Sequence, residues 1–123
     1  MGDAFDNRKN IDYWSLDWAK EHVYDKFKNL GVQVWQLVGN HDVYYKNTNE
    51  INSIDLLLEH YDNIIPISSP DTYDIGGFKA MMLPWICDDN YKETCDAIEK
   101  SDAKIAFGHL ELTGFELYPG MVQ

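Results

Sequence analysis

The chain of 123 residues is 45% hydrophobic and carries a formal net charge of −11, from 21 acidic and 10 basic residues. This length supports one packed domain over residues 1–123 and is too short for two. No apolar run approaches the roughly 20 residues of a membrane span, and no secretory signal pattern is visible. The acidic balance argues against a broad nucleic-acid footprint, although carboxylates that bind divalent cations would also produce it.

The cysteines and two of the histidines favour structural readings. Cys87 and Cys95 have no further Cys or His at the spacing of a zinc site, which favours reduced thiols in a cytoplasmic protein. His22 lies within a predicted helix and is interpreted as a surface residue. His60 lies at a predicted helix end, where a positive charge is favourable.

A first helix is predicted from Asp12 to Leu30, because apolar residues recur every three or four positions. The core stripe that this spacing predicts comprises Leu16, Ala19, Val23, Phe27 and Leu30. Asp12 or Ser15 can cap the start of the helix, and Gly31 suits the left-handed position that follows a helix end.

The rest of the chain alternates predicted strands and helices. Val32–Val38 is an apolar, alternating run that indicates a buried strand. A second helix is predicted over Ser53–Tyr61 with Leu57 and Leu58 facing inward, followed by an edge strand over Ile64–Ile67. Thr72–Ile75 and Phe78–Leu83 are predicted to form a hairpin around Gly76-Gly77. A third helix, capped by one of residues 88–90, should end near Lys100 with Cys95 and Ile98 facing inward, and a buried strand should follow over Lys104–Phe107.

This order of elements predicts an α/β sandwich with a mixed sheet. In that fold we expect the Val32–Val38 and Lys104–Phe107 strands to share one sheet. Three polar motifs lie where strands end, namely Gly2-Asp3, Gly39-Asn40-His41 and Gly108-His109. Because open α/β sheets place ligands at the carboxyl ends of their strands, we expect these motifs to converge on one crevice.

The side chains of these motifs suit divalent metals. Asp3 offers a carboxylate that can bridge two cations, Asn40 a neutral oxygen and His109 an imidazole nitrogen, a mixture that suits manganese, iron or zinc better than calcium. Two metals about 3.5–4 Å apart activate water and hold both the attacking and the leaving oxygen of a phosphoester. Taken singly, each residue is better interpreted as an ordinary loop carboxylate or a satisfied strand-end histidine, and only the three together favour a metal site.

His41 directly follows one of these ligand candidates and would therefore point at a bound substrate. An imidazole in that position can protonate the leaving oxygen or stabilise charge on the phosphate. Asp6 or Asp42 can orient and charge His41 through its second ring nitrogen. The sequence thus predicts His41 as a catalytic residue with an acidic partner.

These motifs together resemble those of a known enzyme family. Gly2-Asp3-Ala4-Phe5-Asp6, Gly39-Asn40-His41-Asp42 and Gly108-His109 resemble the second, third and fourth motifs of calcineurin-like metallophosphoesterases. The flanking text at Asp6–Lys9, Tyr45–Asn47, Leu83–Cys87 and His109–Phe115 is similar to the recombination endonuclease subunits of tailed bacteriophages. Those subunits are viral relatives of the SbcD-like nuclease of double-strand-break repair, and the resemblance covers essentially the whole chain.

The resemblance implies a role for each matched residue. Asp3 matches the metal-bridging aspartate, Asn40 and His109 match ligands of the second metal, and His41 matches the catalytic histidine. Asp6 falls where many members keep a partner of that histidine. The implied activity is manganese-dependent hydrolysis of DNA phosphodiesters, with Mg²⁺, Fe or Zn²⁺ as alternative metals. The implied partner is an SMC-like ATPase, in the cytoplasm of an infected bacterium.

The resemblance also implies a homodimer formed through helices near the start of the domain. Trp14 and Trp18, on the first predicted helix, are a candidate contact surface. They are equally readable as part of a wide buried face.

Two motifs of the family, Asp-x-His and Gly-His-x-His, are expected before residue 1 and after residue 123. We therefore expect the chain to be an internal fragment, incomplete at both ends. Such a fragment should bind at most one weakly held manganese or zinc and show little phosphodiesterase activity. Two alternatives remain open, namely another binuclear-metal phosphatase or phosphodiesterase, and a catalytically inactive module that binds the ATPase partner.

Overall fold

The computed structural model of the chain describes residues 2–114, 116–118 and 120–122. Helices and strands alternate along it, so the predicted mixed α/β class is confirmed. The elements are α1 (Tyr13–Ala19), a π-helical segment (Lys20–Tyr24), α2 (Asp25–Asn29), β1 (Val34–Leu37), α3 (Ser53–Leu58), β2 (Ile64–Ile67), β3 (Asp71–Ile75), β4 (Phe78–Leu83), α4 (Tyr91–Lys100), β5 (Ile105–Gly108), β6 (Glu116–Tyr118) and β7 (Met121–Val122). Within the described ranges, every helix is too short or too polar to cross a bilayer.

The predicted ends of the first helical stretch are confirmed by their hydrogen bonds. The Asp12 carboxylate accepts from the backbone N–H of Ser15 at 2.8 Å. At the other end Gly31 has a φ of 66°. Its N–H donates to the Lys28 carbonyl at 3.0 Å, and the following N–H donates to the Phe27 carbonyl at 2.9 Å. This pair of bonds is a Schellman motif, which needs a left-handed residue such as glycine.

The predicted core stripe of this stretch is wrong in its second half. Val23 and Phe27 are each 37% exposed and Leu30 is 76% exposed, whereas Tyr24 is only 6% exposed. The cause is the π-helical segment between α1 and α2, whose wider turn shifts the register of a regular helix. Ala19, five positions before Tyr24, consequently packs against the same core.

The described strands form three small sheets. β1 pairs with β2 in parallel, and β6 pairs with β7 in antiparallel orientation. β3 and β4 form the predicted hairpin, and β5 joins β4 in parallel. Gly76 and Gly77 turn the hairpin with φ of 63° and 89°, as a type I′ turn requires.

The expectation that the Val32–Val38 and Lys104–Phe107 strands share a sheet is wrong. β1 lies with β2, whereas β5 lies beside β4 in a different sheet. The two sheets meet instead beyond their strand ends, where the Trp85 N–H donates to the Val38 carbonyl at 2.8 Å. Strand pairing depends on contacts between distant residues, and an apolar pattern does not encode the partner.

The burial predicted for the last strand and the last helix is also wrong. Ile105 and Phe107 of β5 are 48% and 51% exposed, because within the described chain β5 pairs through one edge only. In α4 the buried residue is Thr94, at 1% exposure, whereas Ile98 is 48% exposed. Cys95 is half-buried. Both elements therefore turn apolar surface outward.

The core consists of two clusters on the two faces of β1 and the residue after it. One cluster contains Tyr24, Val38, Val43, Ile54, Leu58, Tyr61 and Ile64. The other contains Leu37, Ile67, Ala80 and Met82. Leu37 and Val38 belong to different clusters because successive residues of an extended chain point to opposite faces. This anchorage on both sides fixes the start of the Gly39–Asp42 turn.

Candidate metal centre and catalytic histidine

The fold brings the three metal-ligand candidates together, although they come from distant parts of the chain. Asp3 lies in the loop before α1, Asn40 in the turn after β1, and His109 directly after β5. The His109 Nε2 atom lies 2.9 Å from Asn40 Oδ1 and 3.3 Å from Asp3 Oδ2. The predicted convergence of the three motifs is therefore present in the structure.

Two glycines allow these segments to approach so closely. A Cβ atom on Gly39 would lie 2.3 Å from both the backbone nitrogen and a carboxylate oxygen of Asp3. A Cβ atom on Gly2 would lie 2.6 Å from the Gly39 Cα and 2.6 Å from His109 Nδ1. Any larger residue at either position would push the metal-ligand candidates apart.

Asp3 is held in a strained conformation by its surroundings. It is the non-glycine residue with positive φ, 57°, among those that the structure describes. Its Oδ1 atom accepts from the His41 backbone N–H at 2.8 Å, so the conformation is fixed by the turn after β1. Residues in such sparsely populated conformations cluster at functional sites.

Asp42 ties the two loops to each other, a role that the sequence did not reveal. Its side chain is 1% exposed. Its Oδ2 accepts from the N–H groups of Asp3 and Gly39, each at 2.8 Å. Its Oδ1 accepts from Ala4 at 2.9 Å, Phe5 at 3.4 Å and the Ser53 hydroxyl at 3.2 Å. A carboxylate enclosed by donors in this way positions the backbone of both loops.

His109 is positioned by the sheet that precedes it. Its backbone N–H donates to the Leu83 carbonyl at 3.0 Å, which continues the β4–β5 pairing past the end of β5. The side chain is 23% exposed and faces Asp3, which is 33% exposed. The candidate metal centre thus joins the β3–β4–β5 sheet to the turn after β1.

His41 is oriented by Asp6, as one of the two sequence alternatives proposed. Its Nδ1 lies 2.7 Å from the Asp6 main-chain carbonyl and 3.6 Å from a carboxylate oxygen of Asp6. The carbonyl accepts only, so Nδ1 carries the proton and Nε2 is left for a substrate. The other alternative, Asp42, is wrong, because its described contacts are to the backbone amides and to Ser53.

The donor set at this corner is of the kind that a transition metal takes, because Asp3 and Asn40 offer oxygens and His109 offers an imidazole nitrogen. Asn40 Oδ1 and Asp3 Oδ2 lie 2.9 Å and 3.3 Å from His109 Nε2. Rotated by 180°, the Asn40 amide would instead donate to His109 Nε2 and to both Asp3 oxygens at 2.9–3.2 Å. The amide can therefore present its oxygen to a cation or its nitrogen to the neighbouring acceptors.

The centre depends on the asparagine. Among the described residues, no group of three His, Cys, Asp or Glu side chains is placed to hold a metal ion. Asp3 and His109 supply two such side chains, and Asn40 supplies the third donor. Three donors leave several positions of an octahedral ion for water or a substrate oxygen.

The chain is similar to a known protein over nearly its whole length. No protein-family model matches the chain. The chain is 37% identical over 120 residues, 98% of its length, to exonuclease subunit 1 of Enterobacteria phage T4. It spans 35% of the length of that relative. The chain is therefore related to a phage exonuclease subunit, over about a third of that protein.

Proposed function

We propose that the chain forms the central part of a metal-dependent nuclease of phage DNA, with a calcineurin-like metallophosphoesterase fold. Asp3, Asn40 and His109 would hold the metal, and His41 with Asp6 would act on the substrate. The observation that carries this proposal is the convergence of three candidate metal donors next to His41, whose Nδ1 is bound to the Asp6 carbonyl and whose side chain is 42% exposed. The similarity to a phage exonuclease subunit supports DNA as the substrate.

Manganese is the proposed metal, with Mg²⁺, Fe and Zn²⁺ as alternatives, because the donors are two oxygens and one imidazole nitrogen. When bound, such a metal supplies a Lewis acid for the phosphate, and a second metal elsewhere in a longer protein would complete a two-metal site. The protein's own contribution is positional. Asp42 and the two close-packed glycines hold the donor-bearing loops at a fixed distance.

His41 is proposed to donate a proton to the leaving oxygen or to stabilise charge on the phosphate. With Nδ1–H bound to the Asp6 carbonyl, Nε2 is the nitrogen that can reach a substrate. The Asp6 carboxylate lies 3.6 Å from Nδ1. A protonated His41 then donates from Nε2 and returns to the neutral form.

The proposed partner subunit and cellular location follow from the same similarity to a phage nuclease subunit. A nuclease subunit of this kind would act on DNA together with an SMC-like ATPase subunit in the cytoplasm of the infected bacterium, and would form a homodimer. A phosphatase acting on small phosphomonoesters and an inactive interaction module are the competing functions. The tests below distinguish both from a nuclease.

Calorimetric titration with manganese tests the metal centre. For this chain we predict one weak site, because the described residues bring three donors to the corner. His109→Ala should abolish the site, whereas His22→Ala, on an exposed helix position, should leave it unchanged. Binding that survives His109→Ala would place the metal elsewhere, and two tight sites would reveal ligands outside this corner.

Hydrolysis assays then separate the functions. Any manganese-dependent turnover should fall on DNA, offered both as single strands and as linear duplex, rather than on p-nitrophenyl phosphate. It should be lost in His41→Asn, which keeps metal binding because His41 is not among the three donors. Faster turnover of the phosphomonoester would favour a phosphatase. The interaction module would be favoured if the gene that encodes the chain lacked the Asp-x-His and Gly-His-x-His motifs on either side of it, since this chain alone is expected to show little turnover.

A further inference from the structure

A half-open cleft of about 180 Å³ has Asp42, the residue that follows the candidate catalytic histidine, in its lining. Its walls come from the loop after Asp3 and from the segment that leads into α3. Phe5, Ile51 and Leu56 give it an apolar lining, and Arg8, Lys9 and Tyr44 also line it. The same loop carries the Asp6 carbonyl that holds His41, so the cleft and the histidine share one support.

The two cations of the cleft are held by aromatic rings. The guanidinium carbon of Arg8 lies 5.7 Å from the Trp85 ring centroid, and Lys9 Nζ lies 4.9 Å from that of Tyr44. Neither forms an ion pair with a residue that the structure describes. Arg8 Nη1 is covered and has no hydrogen-bond partner within the described ranges. Neither charge is therefore neutralised by a described carboxylate, and Lys9, at an exposed position, is accessible to an anion.

The charge of this cleft differs from that of the molecule as a whole. The chain has a net charge of −11. A second cavity is lined by four carboxylates, those of Glu50, Asp55, Asp89 and Glu93. The first cleft has one carboxylate in its lining, Asp42, which already accepts hydrogen bonds from four backbone N–H groups. An anionic ligand is thus favoured here and disfavoured at the second cavity.

We propose that this cleft receives an unpaired nucleotide of the DNA strand, next to the phosphodiester that faces His41. The base packs against the apolar lining and Tyr44, which is 39% exposed, and Arg8 and Lys9 contact the flanking phosphates. Apolar stacking surface combined with cations is the chemistry of single-strand binding. A paired base is stacked within the duplex and cannot enter, so single-stranded DNA is the ligand. This inference rests on the proposed nuclease function.

The test is fluorescence anisotropy of a fluorescein-labelled oligodeoxythymidylate bound to the full chain in EDTA, with a blunt duplex as competitor. EDTA makes the measurement independent of the metal centre. The variant Arg8→Gln/Lys9→Gln should bind more weakly and lower the salt slope by about 1.4, roughly 0.7 for each lost phosphate contact. Tyr44→Ala should weaken binding roughly five- to 150-fold at constant charge.

The matched control is Lys92→Gln/Lys100→Gln, which removes the same charge from α4. It should leave the affinity within about twofold of the wild type, since those lysines lie outside the cleft. Circular dichroism and urea unfolding check that each variant is folded. Lys9→Gln alone, at an exposed position, serves if Arg8→Gln proves unstable.

The cleft proposal would be overturned if Lys92→Gln/Lys100→Gln weakened DNA binding as much as Arg8→Gln/Lys9→Gln does. It would also be overturned if duplex DNA competed more strongly than single strands. The absence of any single-strand binding by the wild-type chain at low salt would have the same consequence. None of these results depends on the outcome of the metal titration with His109→Ala. The proposed function fails only in that titration and in the hydrolysis assays, so the two failures are distinguishable.

Discussion

At the scale of single residues, Asp42 decides whether the candidate centre exists. Its carboxylate accepts four backbone N–H groups and one hydroxyl while 1% exposed. Two of the bonded amides belong to Asp3 and Gly39, the residues at the closest approach of the two loops. The loops that carry the candidate metal donors Asp3 and Asn40 are therefore positioned by a side chain that is not one of those candidates.

Replacing Asp42 by Asn should destabilise the fold by about 3 kcal/mol or more. The amide nitrogen of Asn would face backbone donors, and a buried donor without an acceptor is expensive. Urea unfolding measures the loss. The exposed Asp96→Asn on α4 should change stability by less than about 0.5 kcal/mol. Equal, small effects of both substitutions would mean that Asp42 does not hold the loops.

At the scale of elements, the π-helical segment determines which side chain of the first helical stretch is buried. It places Tyr24 in the core and leaves Val23 and Phe27 partly exposed. Burial, together with the negative charge of Asp42, raises the pKa of Tyr24 to about 12. Burial also raises the pKa of Tyr61, whose hydroxyl donates to Asp25 at 2.6 Å. Both tyrosines thus stay neutral in the fold beyond the pH at which an unfolded tyrosine ionises.

Alkaline pH should therefore weaken the fold through Tyr24. Its pKa is raised on folding, so its contribution is fully present below pH 10 and is lost as pH rises towards 12. The loss should amount to roughly 2–3 kcal/mol at most. Tyr24→Phe should flatten the fall in unfolding free energy between pH 10 and 12, measured by urea titration. The control Tyr91→Phe, at a tyrosine that is 62% exposed, should leave this fall in unfolding free energy unchanged. An unaltered fall in Tyr24→Phe would assign the effect to other groups.

At the scale of the whole molecule, apolar surface remains exposed in two regions. On the first helical stretch Tyr13, Trp14 and Trp18 are 89%, 73% and 46% exposed, although Trp18 stacks on His22 at 4.7 Å. On β5, Ile105 and Phe107 are about half exposed. Exposed apolar patches of this kind mark interaction surfaces or sites of aggregation. The exposure of the tryptophans agrees with the first of the two sequence readings.

If the proposed homodimer forms through the first helix, Trp14→Ala/Trp18→Ala should shift the chain from dimer to monomer. Aromatic side chains at the centre of an interface contribute much of its affinity. Light scattering coupled to size exclusion measures the mass, and Phe107→Ala on β5 is the control. A dimer that survives the double substitution would exclude this helix, and a monomeric wild type would exclude the dimer.

The sequence by itself determined the local structure and the chemistry of the site. The capping of the first helix by Asp12 and Gly31 and the glycine hairpin follow from short-range pattern, and the candidate metal donors were predicted from their residue types at strand ends. These features depend on backbone conformation and donor type, which neighbouring residues specify. The pairing of His41 with Asp6, which lies 35 positions earlier in the chain, was also predicted.

Only the tertiary structure decided how these pieces assemble. It placed β1 and β5 in different sheets, exposed β5, and buried Tyr24 in place of the predicted stripe. In the tertiary structure, Asp42 accepts hydrogen bonds from the backbone amides of two loops rather than from His41. Each of these outcomes depends on contacts between residues far apart in sequence, and such contacts are settled by packing across the whole domain rather than by local pattern.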